Sequence, residues 1–278
     1  MTGTSPCTDP EASSGVEARM LMALIELRHI FKRFGRLEVL NDVSLQIEKG
    51  KCLVIIGVSG SGKTVILKNI VGLLKPDWGE VWFSGQRIDN LPERALMKVR
   101  QRFGFLFQQG ALFDSNNVAQ NVAFPLVEHT NRKPEEIAEI VKQKLRMVGL
   151  QDAAKKMPAE LSGGQRKRVA LARAIALDPE VILYDEPTTG LDPIRADVIN
   201  ELILKLQHEL HVTSIVVTHD MNSAFKVADR IVMLFDGKLI FDGTSEEVRN
   251  TDNETVKRFV LGEASLQELQ TLGPSDKN

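Results

Sequence analysis

The stretch that decides the fold is "GVSGSGKT", which runs from Gly57 to Thr64. It fits the pattern G-x-x-x-x-G-K-[S/T], in which a glycine-rich loop surrounds the phosphates of a nucleotide with backbone N–H groups. The motif is meaningful only between a buried strand and a helix. Here the apolar run "KCLVIIGV" leads into the loop and the helix-like run "KTVILKNIVGLL" follows from it. The sequence therefore predicts a nucleotide site on a parallel sheet.

The loop residues have separate roles in this prediction. Backbone N–H groups of the loop and of the helix start would surround the β- and γ-phosphates of ATP. Lys63 would neutralise the phosphate charge, and the Thr64 hydroxyl would ligate Mg²⁺. The loop residues that we expect to contact the nucleotide are Gly57, Val58, Ser59, Gly60, Ser61, Gly62, Lys63 and Thr64.

Two further apolar runs end in side chains that suit phosphate chemistry. Asp185 and Glu186 end "VILYDE", and His219 comes near the end of "VVTHD". Ligands of parallel sheets bind at the carboxyl ends of the strands, so we expect these side chains near the loop. Asp185 would hold Mg²⁺ through its water shell, and Glu186 would polarise the attacking water as a general base. His219 alone is more often a structural residue than a phosphate contact, and Gln108 of "FLFQQG" is an equally weak signal by itself.

The rest of the chain indicates how this core is extended. Two strand-like runs separated by a turn at Gly35 predict an antiparallel pair before the loop. Between Asn117 and Leu177 the apolar period is mostly helical, and a hairpin is predicted around Asp236-Gly237. The prediction is an α/β fold with a P-loop NTPase parallel-sheet core, an N-terminal antiparallel β subdomain and an inserted α-helical subdomain.

Composition excludes several classes of function. The chain is 43% hydrophobic and carries a formal net charge of -2, so it can bury a core but presents no basic field for nucleic acid. Its longest apolar runs fall short of the roughly 20 residues that cross a bilayer. Cys7 and Cys52 indicate no disulfide framework. We therefore expect a soluble globular protein that binds no nucleic acid and does not span a membrane by itself.

A second glycine pair occurs in "LSGGQ", from Leu161 to Gln165. Ser162, Gly163 and Gly164 directly precede a basic, amphipathic helix, and a helix N-terminus offers free N–H donors to an anion. The same pattern fits an ordinary N-capped helix without a ligand. The pattern alone leaves both interpretations open.

Four motifs in one order make the sequence specific. "GVSGSGKT", "LSGGQ", "VILYDEP" and "VVTHD" follow one another as in the ATP-binding subunits of ABC transporters, and the chain resembles that family from about Leu24 to Gly262. The resemblance implies a homodimer whose copies face head to tail. Each ATP would lie between the phosphate loop of one copy and the LSGGQ segment of the other. ATP would then promote assembly, and hydrolysis would weaken it.

Positions that match the family carry the roles that the resemblance implies. Phe34 would stack on adenine, although the family more often has tyrosine there. Gln108 would sense the metal ion, His219 would contact the γ-phosphate, and Asp192 of "TTGLD" would lie in a loop between the copies. The implied catalytic residues are Glu186, His219 and Lys63, the implied metal-site residues are Thr64, Gln108 and Asp185, and the implied contacts to the nucleotide of the partner are Ser162, Gly163, Gly164 and Gln165.

The segment from Phe103 to Thr130 resembles one branch of the family. "FGFLFQQGALFDSNNVAQNVAFPLVEHT" and "GLDPIR" are similar to stretches of the Mla and Mce-type phospholipid transporters, although Gln165 is the general ABC form where that branch often has methionine. The resemblance implies a subunit at the cytoplasmic face of an inner membrane. With an integral permease and an Mce-domain protein, it would move phospholipids between the inner membrane and the outer membrane or periplasm. Phe113 and Phe124 would form an apolar seat for a permease helix.

Three alternatives stay open. A non-transport ABC ATPase would usually carry a coiled-coil insertion or two cassettes, and the sequence has neither. A transporter subunit for another cargo, such as an amino acid or a peptide, would share every motif of the ATP site. A module that binds ATP without turnover is disfavoured because Glu186 and His219 are both present.

Domain boundaries follow from composition and from the extent of the resemblance. Residues 1–22 are rich in Ser, Thr, Pro and acidic side chains and are predicted to be a disordered leader. Residues 23–262 would form the ABC ATP-binding domain, with the helical subdomain at about 115–177. Residues 263–278 are expected to form a flexible C-terminal tail.

Overall fold

A four-stranded antiparallel sheet comes first in the chain. The computed structural model describes residues 23–263, so the predictions for residues 1–22 and 264–278 lie outside the described residues. The strands are β1 (Ala23–Phe34), β2 (Leu37–Glu48), β4 (Trp78–Phe83) and β5 (Gln86–Arg87), in the spatial order β2-β1-β4-β5. The turn between the first two strands contains Gly35 with φ +61°, as the sequence predicts.

A six-stranded sheet forms the core of the structure. Its strands are β3 (Cys52–Ile56), β6 (Phe103–Leu106), β7 (Val181–Asp185), β8 (Thr213–Val217), β9 (Arg230–Phe235) and β10 (Lys238–Gly243), in the spatial order β10-β9-β3-β8-β7-β6. All neighbouring pairs are parallel except β9 and β10. Those two strands form the predicted hairpin, with positive φ at Asp236 and Gly237.

Helices flank and interrupt this sheet. The α-helices are α1 (Lys63–Ile70), α2 (Glu93–Arg100), α3 (Val118–His129), α4 (Pro134–Met147), α5 (Gly163–Ala174), α6 (Pro193–Leu210), α7 (Met221–Val227), α8 (Ser245–Arg249) and α9 (Glu254–Leu261). The block from α3 to α5 lies between β6 and β7, as the helical period predicts. Helix α2 was not predicted. It begins after Pro92 and buries Leu96 and Val99, a stripe too short to stand out in the sequence.

Strand β3 separates two hydrophobic cores. Leu53 and Ile55 pack in the core that contains the antiparallel sheet and α1. Cys52, Val54 and Ile56 pack in the core that contains α3, α5 and α6. Successive strand residues point to opposite faces, so a central parallel strand must be apolar on both. Burying one such Leu or Ile side chain contributes about 1.5–3 kcal/mol to the free energy of folding. Because all five residues of β3 are buried, the strand is held firmly at the point where the phosphate loop begins.

The predicted fold class is confirmed by this arrangement. Cys52 is a free, buried thiol whose pKa is raised mainly by burial, as expected of a packing residue. Among residues 23–263, no helix combines the length and the apolar character that crossing a membrane requires.

Candidate nucleotide-binding site

The phosphate loop joins β3 to α1 through a backbone that requires glycine. Gly57 has φ +151° and Gly62 has φ +102°, a range that residues with a side chain rarely adopt. A Cβ atom at Gly57 would lie 2.3 Å from the Leu234 carbonyl oxygen, and one at Gly62 would lie 2.9 Å from that of Val39. The loop therefore packs directly against neighbouring backbone. Gly62 precedes α1 without a side-chain cap, so the first N–H groups of the helix remain available to an anion.

Lys63 is almost completely buried beside the loop, with a relative exposure of 6%. Its Nζ donates to the carbonyl oxygens of Gly57 at 2.8 Å and Val58 at 2.9 Å, and lies 4.0 Å from Glu186 Oε1. Burial lowers the pKa of Lys63, while the charges of Glu186 and Asp185 oppose that shift. The structure thus holds a cation across the mouth of the loop.

Thr64, at the start of α1, and Asp185, at the end of β7, bring two side-chain oxygen atoms together. Thr64 Oγ1 donates to Asp185 Oδ1 at 2.9 Å. Burial raises the pKa of Asp185, and the Thr64 hydrogen bond lowers it. Among the described residues, no group of three or more His, Cys, Asp and Glu side chains is arranged to hold a metal. A hydroxyl and one carboxylate fit Mg²⁺, which usually completes its shell with water and substrate phosphates.

Glu186 is held through its backbone and through one of its two carboxylate oxygens. Its φ of +50° is unusual for glutamate and indicates a constrained backbone. Its N–H donates to the Val217 carbonyl at 2.9 Å, and its own carbonyl accepts from Lys167 Nζ at 3.0 Å. Glu186 Oε2 accepts from Thr189 Oγ1 at 3.1 Å and lies 2.9 Å from His219 Nδ1. These contacts fix the orientation of the Glu186 carboxylate, as the predicted role of general base requires.

Lys63, Thr64, Glu186 and His219 line one cavity of about 1110 Å³, which has room for a nucleotide. Phe34 lies on its wall and is 47% exposed, so the ring can present a face to an aromatic base. The lining residues that were predicted from the sequence are Phe34, Val58, Ser59, Gly60, Gly62, Lys63, Thr64, Gln108, Glu186 and His219. Gly57, Ser61 and Asp185 do not line the cavity, although each is adjacent in sequence to a residue that does.

Sequence reasoning missed part of the wall. Val39 of β2 lines the cavity, and so do Arg258 and Phe259 of α9 with the residues that follow them. The sequence signal of Arg258 and Phe259 was weak, because α9 shows only a short apolar stripe around the buried Val256. Thr189 and Lys167 were also missed, although both lie within motifs that were singled out.

The LSGGQ segment caps α5 and belongs to a different surface. Ser162 Oγ accepts from the Gln165 N–H at 3.3 Å, and Gln165 Oε1 accepts from the Ser162 N–H at 2.9 Å. This is a reciprocal N-cap. Among the described residues that line the cavity, none comes from 162–165. A Cβ atom at Gly164 would lie 3.8 Å from Arg195, so the segment neighbours the start of α6.

Asp192 lies on that second surface as well. It is exposed and caps α6, accepting from the Arg195 N–H at 3.0 Å. The site residues predicted from the sequence therefore separate into two groups. One group surrounds the cavity, and the other, made of Ser162, Gly163, Gly164, Gln165 and Asp192, forms a surface that a single copy does not bring to the cavity.

Comparison with known proteins places these features in a family. Residues 40–189 match the ABC transporter family. The chain is 48% identical over 242 residues to the intermembrane phospholipid transport system ATP-binding protein MlaF of Haemophilus influenzae, an alignment that covers 87% of this chain and 91% of the relative. It is 43% identical over 252 residues to the probable ribonucleotide transport ATP-binding protein mkl of Mycobacterium leprae, covering 90% of this chain and 73% of that protein.

A solved structure agrees with the same assignment. The dimeric, post-hydrolysis structure of the ATP-binding cassette MJ0796 bound to ADP and Pi is similar with a TM-score of 0.74 at 36% identity. The similarity covers 79% of this chain and 98% of that one. With its phosphate loop, buried Lys63 and fixed Glu186, the chain belongs to the ABC transporter family as an ATP-hydrolysing cassette.

Proposed function

We propose that the chain is the ATPase subunit of a phospholipid transporter, and that two copies close around two ATP molecules to drive a separate membrane permease. The observation that carries the dimer is the separation of the two anion-binding motifs. The phosphate loop lines the cavity of one copy. Among the residues that the structure describes, none of 162–165 lines that cavity. A second copy supplies the LSGGQ helix N-terminus that completes the site.

Within each site, the residues of this chain divide the work of hydrolysis. Loop N–H groups and Lys63 hold the β- and γ-phosphates and stabilise charge that develops on them. Glu186 accepts the proton of the water whose oxygen attacks the γ-phosphorus, and ADP departs as the bond to its β-phosphate oxygen breaks. Thr64, Asp185 and Gln108 would hold Mg²⁺, which supplies further charge neutralisation when bound.

Two contacts support the assignment of Glu186 as the base. Thr189 Oγ1 and His219 Nδ1 both reach its Oε2, so the carboxylate is held by one atom while Oε1 remains directed towards Lys63. His219 is 56% exposed at its side chain, whereas Glu186 is 12% exposed, so the histidine lies nearer to solvent. His219 is then available to the γ-phosphate, as the family resemblance implies.

An aromatic groove supports the membrane partner. Phe113 and Phe124 are 40% and 37% exposed, and their ring centroids are 4.7 Å apart. They line a cavity of about 500 Å³ together with Phe105 and Arg173. Residues of β6, the strand that leads to Gln108, line the groove together with the segment that follows it. We propose that a permease helix docks in it against the helical subdomain at about 115–177, and so holds the chain at the cytoplasmic face of the inner membrane.

The identity to MlaF favours phospholipid as the cargo, and the identity to mkl supplies the second candidate. MlaF is described as part of an intermembrane phospholipid transport system, and mkl as a probable ribonucleotide transport protein. The ATP site alone does not distinguish them, because cargo is recognised by other subunits. In the phospholipid system we propose an Mce-domain protein as the subunit that contacts the lipid.

Trapping the dimer tests the ATPase part of the proposal. Glu186→Gln keeps the side-chain shape but removes the base, so we expect hydrolysis to fall by at least about 100-fold and an ATP-dependent dimer to accumulate. Size-exclusion chromatography with light scattering measures the mass. Adding Ser162→Arg to this variant should return it to monomer. A Glu186→Gln variant that stays monomeric at saturating ATP and Mg²⁺ would contradict the dimer.

Identification of co-purifying subunits tests the cargo. The tagged chain is purified from detergent-solubilised membranes, and its companions are identified by mass spectrometry. An integral permease with an Mce-domain protein and bound phospholipid supports the proposal. A permease with a soluble nucleotide-binding or peptide-binding protein rejects it. Phe113→Ser combined with Phe124→Ser should lose the permease, whereas the exposed Ile194→Ser, far along the chain in α6, should retain it.

A further inference from the structure

The buried side chain of Lys167 reaches from the LSGGQ helix to the backbone of Glu186, the proposed catalytic base. It belongs to α5, the helix that begins after Ser162, and its relative exposure is 6%. Its Nζ donates to the backbone carbonyl oxygen of Glu186 at 3.0 Å. A buried ammonium group is costly unless it is hydrogen-bonded and near negative charge. Here Glu186 and Asp185 supply that charge, and burial is the larger influence, lowering the pKa of Lys167 to about 8.

The bond is made at a constrained peptide. Glu186 follows β7 with φ +50°, a conformation that persists only where the surroundings impose it. Within residues 23–263, three hydrogen bonds hold its backbone: the Val217 carbonyl accepts from its N–H, and its C=O accepts from Lys167 Nζ and, at 3.3 Å, from the Thr189 N–H. Movement of Lys167 would therefore release the side-chain donor among these backbone constraints that orient the Glu186 side chain.

The same helix begins at the proposed nucleotide contact, little more than one turn before Lys167. Ser162 caps α5, and its reciprocal bonds with Gln165 make the first turn continuous with the turn that carries Lys167. A hydrogen-bonded helix transmits displacement along its axis with little internal deformation. A push on the N-terminus of α5 thus reaches the carbonyl of Glu186 through one rigid element and one hydrogen bond.

In the proposed dimer, Ser162 and the Glu186 carboxylate face different nucleotides. Ser162 contacts the ATP bound to the loop of the partner, whereas Glu186 acts on the ATP bound to its own loop. We propose that Lys167 is a positioning residue that couples occupancy of one ATP site to the orientation of Glu186 in the other, an inference that rests on the dimer proposed above. The two sites then become competent together, because each α5 reports on one nucleotide and orients the base for the other.

Lys144 provides a matched control. It is also buried, at 3% relative exposure, and it pairs with Asp178 rather than with a residue of the active site. If buried lysines only support packing, the Lys167→Met and Lys144→Met variants should behave alike. If Lys167 positions Glu186, only Lys167→Met should change turnover.

The first experiment measures turnover of the full-length dimer. We expect Lys167→Met to lower kcat by about 10- to 100-fold, the loss that follows when a reacting group is misplaced. KM and the ATP dissociation constant should stay within about 2-fold, because phosphate contacts are untouched. Lys167→Arg retains a buried cationic donor and should recover part of the lost kcat. Lys144→Met should match the wild type. Thermal unfolding confirms that each variant is folded.

The second experiment separates positioning of Glu186 from support of the LSGGQ segment. Two full-length chains with different tags are co-purified in ATP as mixed dimers, and the second chain carries Glu186→Gln, so that only the site of the first chain turns over. Lys167→Met in the first chain should lower kcat by the same about 10- to 100-fold. The same substitution in the second chain should leave kcat within about 2-fold of that of the mixed dimer without it, although the second chain donates its LSGGQ segment to the working site.

The outcomes are distinguishable. Equal losses from both placements, or a loss only from the second chain, would show that Lys167 supports the LSGGQ segment and would overturn the positioning role. An unchanged kcat in every Lys167→Met dimer would overturn it as well. If the Glu186→Gln chain forms no ATP-dependent dimer, the proposed function fails first, before any Lys167 variant is measured, and the coupling falls with it.

Discussion

His219 Nδ1 lies 2.9 Å from Glu186 Oε2, and this contact joins the carboxyl ends of two neighbouring parallel strands. Glu186 follows β7 directly, and His219 comes shortly after β8. An Nδ1–H tautomer donates to the carboxylate and leaves Nε2 directed away from it. The pair therefore connects the proposed base to a ring that lies nearer to solvent, where the γ-phosphate is expected.

Replacing His219 should affect chemistry more than binding. His219→Ala removes both the contact to Glu186 and the proposed contact to the γ-phosphate, so we expect kcat to fall by about 100-fold with ATP affinity within a few-fold. Steady-state hydrolysis and equilibrium binding of ATP measure the two effects. His208→Ala alters an exposed histidine of α6 and should have no effect. A large loss of affinity with an unchanged kcat would reject this role of His219.

Replacing Phe34 should affect binding more than chemistry. Stacking of a base on an aromatic ring contributes about 1–3 kcal/mol, so Phe34→Ala should raise the ATP dissociation constant by about 5- to 100-fold. Phe34→Tyr keeps the ring and should bind ATP normally. Leu37 is 65% exposed in the same hairpin and does not line the cavity, so Leu37→Ala is the matched control. Calorimetric titration with ATP measures all three, and equal affinities would place adenine elsewhere.

Removing the Thr64 hydroxyl should affect the response to Mg²⁺. Thr64→Val keeps the branched shape but takes away the donor to Asp185 Oδ1 and the proposed oxygen ligand. We expect hydrolysis to be lost at millimolar Mg²⁺ and ATP to bind almost equally with Mg²⁺ and with EDTA. Thr64→Ser restores the hydroxyl and should restore the Mg²⁺ dependence. A Thr64→Val variant whose ATP binding still responds to Mg²⁺ like the wild type would assign the metal to other ligands.

The pKa of Lys167 predicts how stability depends on pH. Burial lowers it from 10.5 to about 8, so the folded chain releases this proton at lower pH than the unfolded chain does. Between these values the unfolded state binds more protons, and the free energy of unfolding rises with pH. From pH 7.5 to 9.5 the wild type should gain about 1–2 kcal/mol relative to Lys167→Met.

Urea denaturation of both proteins at the two pH values measures this difference. The comparison with Lys167→Met removes contributions of other titrating groups that the two chains share. Lys144→Met serves as a second reference, since it retains Lys167. The difference in free energy of unfolding between the wild type and Lys167→Met should change with pH. If it stays constant, or if the wild type loses stability relative to the variant as pH rises, the pKa of Lys167 is not depressed.

Much of the fold and of the ATP site was predictable because its signals are local. The loop from Gly57 to Thr64 needs glycine for its backbone, and its flanks show strand and helix periods, so the motif and its context can be read together. Glu186 and His219 were predicted because each ends or follows an apolar run, and parallel strands bring such ends to one edge. Helix α2 was missed because its buried stripe is short.

The assignment of the LSGGQ segment shows a different limit. Its pattern fitted both an ordinary N-cap and an anion site, and the structure contains the N-cap, with Ser162 and Gln165 bonded to each other. The anion role depends on a second copy, so no feature internal to one chain decides it. What the structure adds is that this segment does not line the cavity of its own chain.

By itself, the sequence determined the loop, the order of most strands and helices, and the family, and it predicted the carboxylates for metal and base, because these depend on residues close together in the chain. Only the tertiary structure decided that Lys167 bonds the carbonyl of Glu186, that Thr189 and His219 share one carboxylate oxygen, and that Arg258 and Phe259 complete the cavity. Those contacts join residues whose approach depends on how sheets and helices pack, and packing is a property of all the buried surfaces together rather than of any local pattern.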